Sequence, residues 1–179
     1  MKELGKNIIL IGLPGAGKTT LGKLLSNITG YRFIDSDAFI EEKTGKSITE
    51  LFQEGEDHFR SIESEAYKKI ADFEDTIVST GGGVVKRNEN IVALKRNGTV
   101  YYIDRSVEDI SHDIEVSHRP LLKDGLERIH ALKAEREALY QDAADCIIKN
   151  DKPLEEVADE IIAHHYGSGK GGSAHDNPQ

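Results

Sequence analysis

Apolar and polar positions alternate along this chain in short blocks. Residues 7–11 (NIILI) are an almost unbroken apolar block ending at Gly12, the pattern of a parallel strand buried on both faces. Over residues 19–28 the period lengthens, and Leu21, Leu24, Leu25 and Ile28 recur at the spacing of a helix with one buried face. Residues 31–34 predict a second strand, which runs into Asp35-Ser36-Asp37, and residues 38–45 a helix stopped by Gly45. Ser47 with Glu50 three positions on is a helix-start signature; Leu51 and Phe52 follow, and Gly55 breaks the pattern. Residues 56–73 predict a longer surface helix with Phe59, Ile62, Ala66 and Ile70 as its single apolar stripe. TIVS at 76–79 predicts a third strand, residues 88–95 a helix and 100–103 a fourth strand. Residues 106–110 read as a helical turn, and 112–123, poor in apolar positions and containing Pro120, as a loop. A strong helical pattern covers 126–140, a fifth strand 146–148 and a last helix 154–162. Strands alternating with helices at this spacing imply an α/β fold: three α/β/α layers around a five-stranded, mostly parallel sheet.

A chain of 179 residues suits one such domain. We place it at residues 1–166, with substrate-binding helices near 36–72 and a lid near 111–123. The Gly- and Ser-rich stretch 167–179 is a flexible tail by composition. Hydrophobic residues at 37% and charged residues at 31% exclude a disordered or fibrous class. A net charge of -9 without a basic stripe argues against nucleic acid as a partner. It leaves room for a small anion gripped locally by a few arginines. With no long apolar run and no arginine-rich leader, neither a membrane anchor nor a targeting segment is expected. The single cysteine, Cys146, has no internal disulfide partner, fits a reducing compartment and is expected in the core. The histidines show no zinc spacing.

The chemistry begins at Gly12-Leu13-Pro14-Gly15-Ala16-Gly17-Lys18-Thr19, a full phosphate-loop motif between an apolar strand and an amphipathic helix. The glycines let backbone amides turn toward an anion, and the helix adds its positive end. Lys18 is placed to reach the β- and γ-phosphates of ATP, and the Thr19 hydroxyl to serve Mg2+. Thr20 joins Gly12, Gly15, Ala16 and Gly17 on the nucleotide side. The motif specifies a nucleotide phosphate but no acceptor, and without an NKxD segment guanine is disfavoured.

Other segments point to an acceptor. Asp35 and Asp37 follow a strand, where one carboxylate can orient water on a metal and the other take a proton; capping the next helix is the competing explanation. Arg60 and Glu63 share a helix face, as functional partners or as an ordinary surface pair. Gly81-Gly82-Gly83 after a strand lets a ligand approach the backbone, with its amides as donors, or simply makes a tight turn. Arg119 closes the stretch of low predicted structure, as a lid residue over the transferring phosphate or as a solvated loop charge. Arg136 and Tyr140 share a face on a helix with many other charges.

Taken in order, GLPGAGKT at 12–19, FIDSDAFIE at 33–41, GEDHFRSIE at 55–63, TGGGVV at 80–85, RPLL at 119–122 and REALY at 136–140 resemble the shikimate kinase family over residues 5–163. The resemblance implies a nucleoside monophosphate kinase-like fold and transfer of the ATP γ-phosphate to the 3-hydroxyl of shikimate. By resemblance, Asp37 binds substrate hydroxyls and is the base, and Asp35 supports magnesium through water. Arg60 and Arg136 hold the substrate carboxylate, Glu63 positions Arg60, and Gly81, Gly82 and Gly83 line the same pocket. Lys18 and Arg119 complete the catalytic set, and Arg119 touches nucleotide phosphates. A cytoplasmic, monomeric enzyme on the route to chorismate and aromatic amino acids is also implied.

One departure is visible. Family members often carry a further arginine soon after the fourth strand, whereas residues 106–118 (SVEDISHDIEVSH) contain none, only His112 and His118. The adenine site, by resemblance near residues 151–153, has no distinctive residue. The alternatives at this level are a gluconate-type kinase, a nucleotide-binding protein without catalysis, and a structural role.

Overall fold

The five predicted strands form, and in a computed structural model that describes residues 6–116 and 123–167 they make one sheet. They are β1 (Asn7–Ile11), β2 (Arg32–Asp35), β3 (Thr76–Ser79), β4 (Gly98–Asp104) and β5 (Cys146–Lys149), in the order β2-β3-β1-β4-β5. Every neighbouring pair is parallel. β1 is central, with Ile8 opposite Ile77 on one side and Thr99 on the other.

Among the described residues eight α-helices complete the layers: α1 (Lys18–Thr29), α2 (Ser36–Thr44), α3 (Ile48–Gln53), α4 (Glu56–Ile70), α5 (Asn88–Lys95), α6 (Val107–Val116), α7 (Lys123–Ala143) and α8 (Leu154–Gly167). Successive residues of a strand face opposite sides of a sheet, and β1 uses both. Ile9 and Ile11 enter a core with Tyr67 and Ile70 of α4, Leu94 of α5 and Tyr140 of α7. Ile8 and Leu10 enter another, with Leu21 and Leu25 of α1 and Val157 and Ile161 of α8. A satellite cluster of Ile40, Leu51, Phe59 and Ala66 binds α2, α3 and α4 to one another.

Four expectations are corrected. Residues 112–116 are helical, because Val107, Ile110 and Ile114 keep a helical spacing and α6 runs on to Val116; Val107 and Ile110 are buried. Ile28 is 51% exposed, so the buried stripe of α1 is Leu21 and Leu25, with Leu24 only partly covered. α4 carries more than one stripe: Arg60, Glu63, Ser64 and Tyr67 are buried on a polar face beside the apolar one. Cys146 is only partly buried, packed against the α1–α8 core. Arg119, His118 and residues 168–179 of the tail lie outside the described residues. Among the described residues no helix is long and apolar enough to cross a membrane.

The foot of the sheet depends on Asn7, which is 1% exposed. Its Nδ2 donates to the Phe73 carbonyl at 2.8 Å and its Oδ1 accepts from the Thr76 amide at 3.0 Å, joining the starts of β1 and β3. Asn7→Ala leaves that buried amide unpaired and is expected to cost about 1–3 kcal/mol. The check is a lower urea midpoint with an unchanged m-value; an unchanged midpoint contradicts it.

Candidate active site

In an all-parallel sheet every carboxyl end lies along one edge, where ligands of open α/β folds bind. The phosphate loop leaves β1 there, the acidic pair β2, the three glycines β3, Arg105 β4 and Asn150 β5.

The loop takes the conformation its glycines allow: φ is 149° at Gly12, 85° at Gly15 and 96° at Gly17. A Cβ on Gly12 would come within 2.6 Å of the Ile103 carbonyl oxygen, so β4 and the loop touch there. Ala16 is buried and its amide donates back to the Leu13 carbonyl at 3.0 Å. Lys18 opens α1, yet it is buried. Its Nζ donates to the carbonyls of Gly12 at 2.5 Å and Leu13 at 2.9 Å. Burial lowers its pKa to about 8, against the attraction of Asp37 and Asp35. Thr20 is exposed on the first turn of α1.

Asp35 divides its two oxygens between the helix cap and the Thr19 hydroxyl. Oδ1 caps α2, accepting from the amides of Asp37 at 2.9 Å and Ala38 at 3.3 Å. Oδ2 accepts from the Thr19 hydroxyl at 3.4 Å. That hydroxyl is also 3.3 Å from Ser79 Oγ, at the end of β3. Thr19, Asp35 and Ser79 thus form a group of oxygen donors beside Lys18, the ligand type that Mg2+ takes. Asp37, on the first turn of α2, has its pKa raised by burial and then by Asp35, with Lys18 opposing.

Arg60 and Glu63 form a buried pair, Nη1 to Oε1 at 2.9 Å, with Glu63 1% exposed. Burial raises the Glu63 pKa and Arg60 opposes the shift. Glu56 approaches Arg60 Nε at 3.5 Å. The guanidinium lies 5.3 Å from the ring of Phe52 and 5.2 Å from that of Phe59, and the two rings stack at 4.3 Å. The α4 arginine is therefore held on several sides before any ligand arrives.

The three glycines are spacers fitted to these side chains. A Cβ on Gly81 would lie 3.2 Å from Asp37 Oδ1, one on Gly82 2.9 Å from Pro14 Cδ and 3.2 Å from Arg136 Nη1, and one on Gly83 2.3 Å from Arg60 Nη1. The expectation that their amides face a ligand is corrected at Gly81. Its N–H donates to Ser36 Oγ at 3.0 Å and Tyr67 Oη at 3.1 Å, two fully buried hydroxyls that also contact each other at 3.1 Å. On the far wall α7 brings in Arg136, 8% exposed with its Nε unpartnered. Four residues on, the Tyr140 hydroxyl donates to the Gly82 carbonyl at 2.6 Å. The Tyr140 ring stacks on Tyr102 at 5.1 Å, and Tyr102 donates to Glu137 at 2.5 Å.

Asp37, Arg60, Glu63, Arg136 and all three glycines line one cavity of about 320 Å³. Phe52, Leu132 and Arg128 also line it, and sequence reasoning assigned none of them to the site. Leu132 was legible in principle: Arg128, Leu132 and Arg136 are spaced four apart on one face of α7. Ser36, Tyr67 and Ser79 carried no local signal, because only the packing of α2 and α4 on the sheet gathers them.

The family model described as shikimate kinase matches residues 14–165. A shikimate kinase of Clostridium botulinum is 53% identical over 154 residues, covering 86% of this chain and 93% of that protein. The structure of shikimate kinase from Acinetobacter baumannii in complex with shikimate aligns with a TM-score of 0.83 at 31% identity, covering 93% of this chain and 96% of that one. A gluconokinase from Sinorhizobium meliloti aligns with a TM-score of 0.62 at 14% identity over 93% of this chain and 95% of its own, a likeness of fold alone. The matched segment contains the acidic pair, the α4 arginine, the glycine turn and the α7 arginine that build the cavity, and the chain belongs to the shikimate kinase family.

Proposed function

We propose that this protein transfers the γ-phosphate of ATP to the 3-hydroxyl of shikimate, giving shikimate 3-phosphate and ADP. The observation that carries this reading is one cavity that gathers a half-buried aspartate, Asp37, with two buried arginines, Arg60 and Arg136. A small cyclic acid with hydroxyl groups matches that lining. Its carboxylate takes the planar guanidinium groups, and a hydroxyl meets Asp37. Leu132 and the phenylalanines offer apolar contact to a ring.

Asp37 accepts the hydroxyl proton, and its raised pKa makes it a stronger base than an ordinary aspartate. The proton goes to a carboxylate, so the rate falls as pH drops through that raised value. Lys18 leaves the loop carbonyls for the β- and γ-phosphates. Thr19, Asp35 and Ser79 would hold magnesium, which when bound neutralises phosphate charge. Arg119 is assigned to the transferring phosphate on its sequence motif alone. Both half-sites come from one chain, so a monomer suffices.

A coupled ADP-release assay tests the reading. Shikimate should support turnover and gluconate should not; the reverse result sinks the proposal. Asp37→Asn is expected to lower kcat by about 10²–10⁴-fold, and Arg136→Ala to raise KM for shikimate about tenfold or more.

Gly83→Ala tests the clamp by shape. The backbone φ of -92° accepts alanine, so the change acts through the methyl group on Arg60. The expected outcome is a KM for shikimate raised about tenfold with KM for ATP unchanged; equal changes in both would contradict it.

Lys18 generates a linkage prediction. Its pKa is about 8 in the free protein, and phosphate beside it raises that value. Nucleotide binding above pH 8 must therefore take up a proton, and affinity falls as pH rises through 8. Titration calorimetry of MgADP at alkaline pH in buffers of different ionisation enthalpy should show the uptake, and Lys18→Met should abolish it.

A further inference from the structure

Arg105 directly follows β4, one position before the stretch in which the sequence shows no arginine. Its side chain is 17% exposed, and its guanidinium makes two contacts. Nη1 donates to the Gly15 carbonyl of the phosphate loop at 3.0 Å, and Nη2 pairs with Asp113 of α6 at 2.6 Å. α6 also approaches this exposed glycine, since a Cβ there would lie 2.9 Å from Ile110 Cγ2. The next loop carbonyl, that of Ala16, accepts from Asn150 Nδ2 at 2.8 Å, just beyond β5. Two successive carbonyls are therefore held by side chains that follow two different strands.

The consequence comes from peptide geometry. In a planar trans peptide the C=O and the following N–H point in opposite directions. Holding the carbonyls of Gly15 and Ala16 therefore fixes the directions of the Ala16 and Gly17 amides. The Ala16 amide does point across the loop, to the Leu13 carbonyl. Gly15 is a residue whose backbone has unusual freedom, and its peptide is held at both ends, the carbonyl by Arg105 and the N–H by Leu13.

We propose that Arg105 is a positioning residue for the nucleotide phosphates. It bonds the Gly15 carbonyl from outside the loop; the N–H of that peptide is already given to Leu13, so Arg105 acts by fixing the Gly15–Ala16 peptide plane from which the following amides extend toward the anion. Asp113 steers the guanidinium; as an exposed ion pair it adds little stability of its own. The role rests on the nucleotide half of the function proposed above and is independent of the acceptor.

The test is binding to the full chain without acceptor, by titration calorimetry, with two probes: MgADP and magnesium pyrophosphate, which has no adenine. Arg105→Ala is expected to weaken both by the same factor, about tenfold, while KM for shikimate stays within about twofold. Asp113→Asn is expected to weaken both about threefold, and it carries the test if Arg105→Ala does not fold. Unchanged affinity for both probes in the folded variants overturns the proposal. So does a loss confined to ADP, which would mean an adenine contact, or an equal rise in KM for both substrates, which would mean general damage. Failure of shikimate as acceptor would leave these binding results intact, so the two readings fail separately.

Discussion

The common direction of the five strands is the constraint on which the site depends. Parallel strands cannot be joined by tight hairpins, so each connection crosses a face of the sheet, and every strand releases its chain at the same edge. The phosphate loop, acidic pair, glycine turn, Arg105 and Asn150 are far apart in sequence and neighbours for this one reason. β1 lies in the middle, hydrogen-bonded on both sides. The loop that follows it is braced by the segments after β4 and β5, and it faces those after β2 and β3.

That edge concentrates charge in a protected place. Lys18, Arg60, Glu63 and Arg136 are all at most 8% exposed, and burying charges is costly unless they are paired. Arg60 and Glu63 compensate each other, and two stacked phenylalanines cover the guanidinium. Lys18 borrows the loop's own carbonyls. Arg136 has an unpartnered Nε facing desolvation. Groups already stripped of water and fixed in place bind an anion with little reorganisation, the condition under which electrostatics contribute most to catalysis.

The glycine turn matches the two half-sites to each other. Gly82 touches Pro14 of the phosphate loop and approaches Arg136, while its carbonyl is held by Tyr140. Gly83 leaves room for Arg60. Gly81 is tied to Ser36 and Tyr67, so the turn is fixed against the first turn of α2, where Asp37 resides, and against α4. A side chain at Gly83 would collide with Arg60, and one at Gly82 with Pro14.

The sequence by itself determined the parallel α/β sheet, since apolar blocks and helical periods are local properties written in neighbouring residues. It also determined the nucleotide half of the site, because a phosphate loop is contiguous and its chemistry resides in eight adjacent residues. The acceptor half was legible only as fragments: an acidic pair with two explanations, an arginine–glutamate spacing like many surface pairs, a glycine run. Tertiary structure decided among them by burial, putting Arg60 and Glu63 inside and giving one Asp35 oxygen to the helix cap and the other to Thr19. It alone recruited Ser36, Tyr67, Ser79 and Arg105, through bonds that span 31 to 90 residues of sequence. A side chain's local pattern records its own helix or strand. Which distant carbonyl or hydroxyl it meets is set by the packing of helices on the sheet, and no short stretch of sequence encodes that.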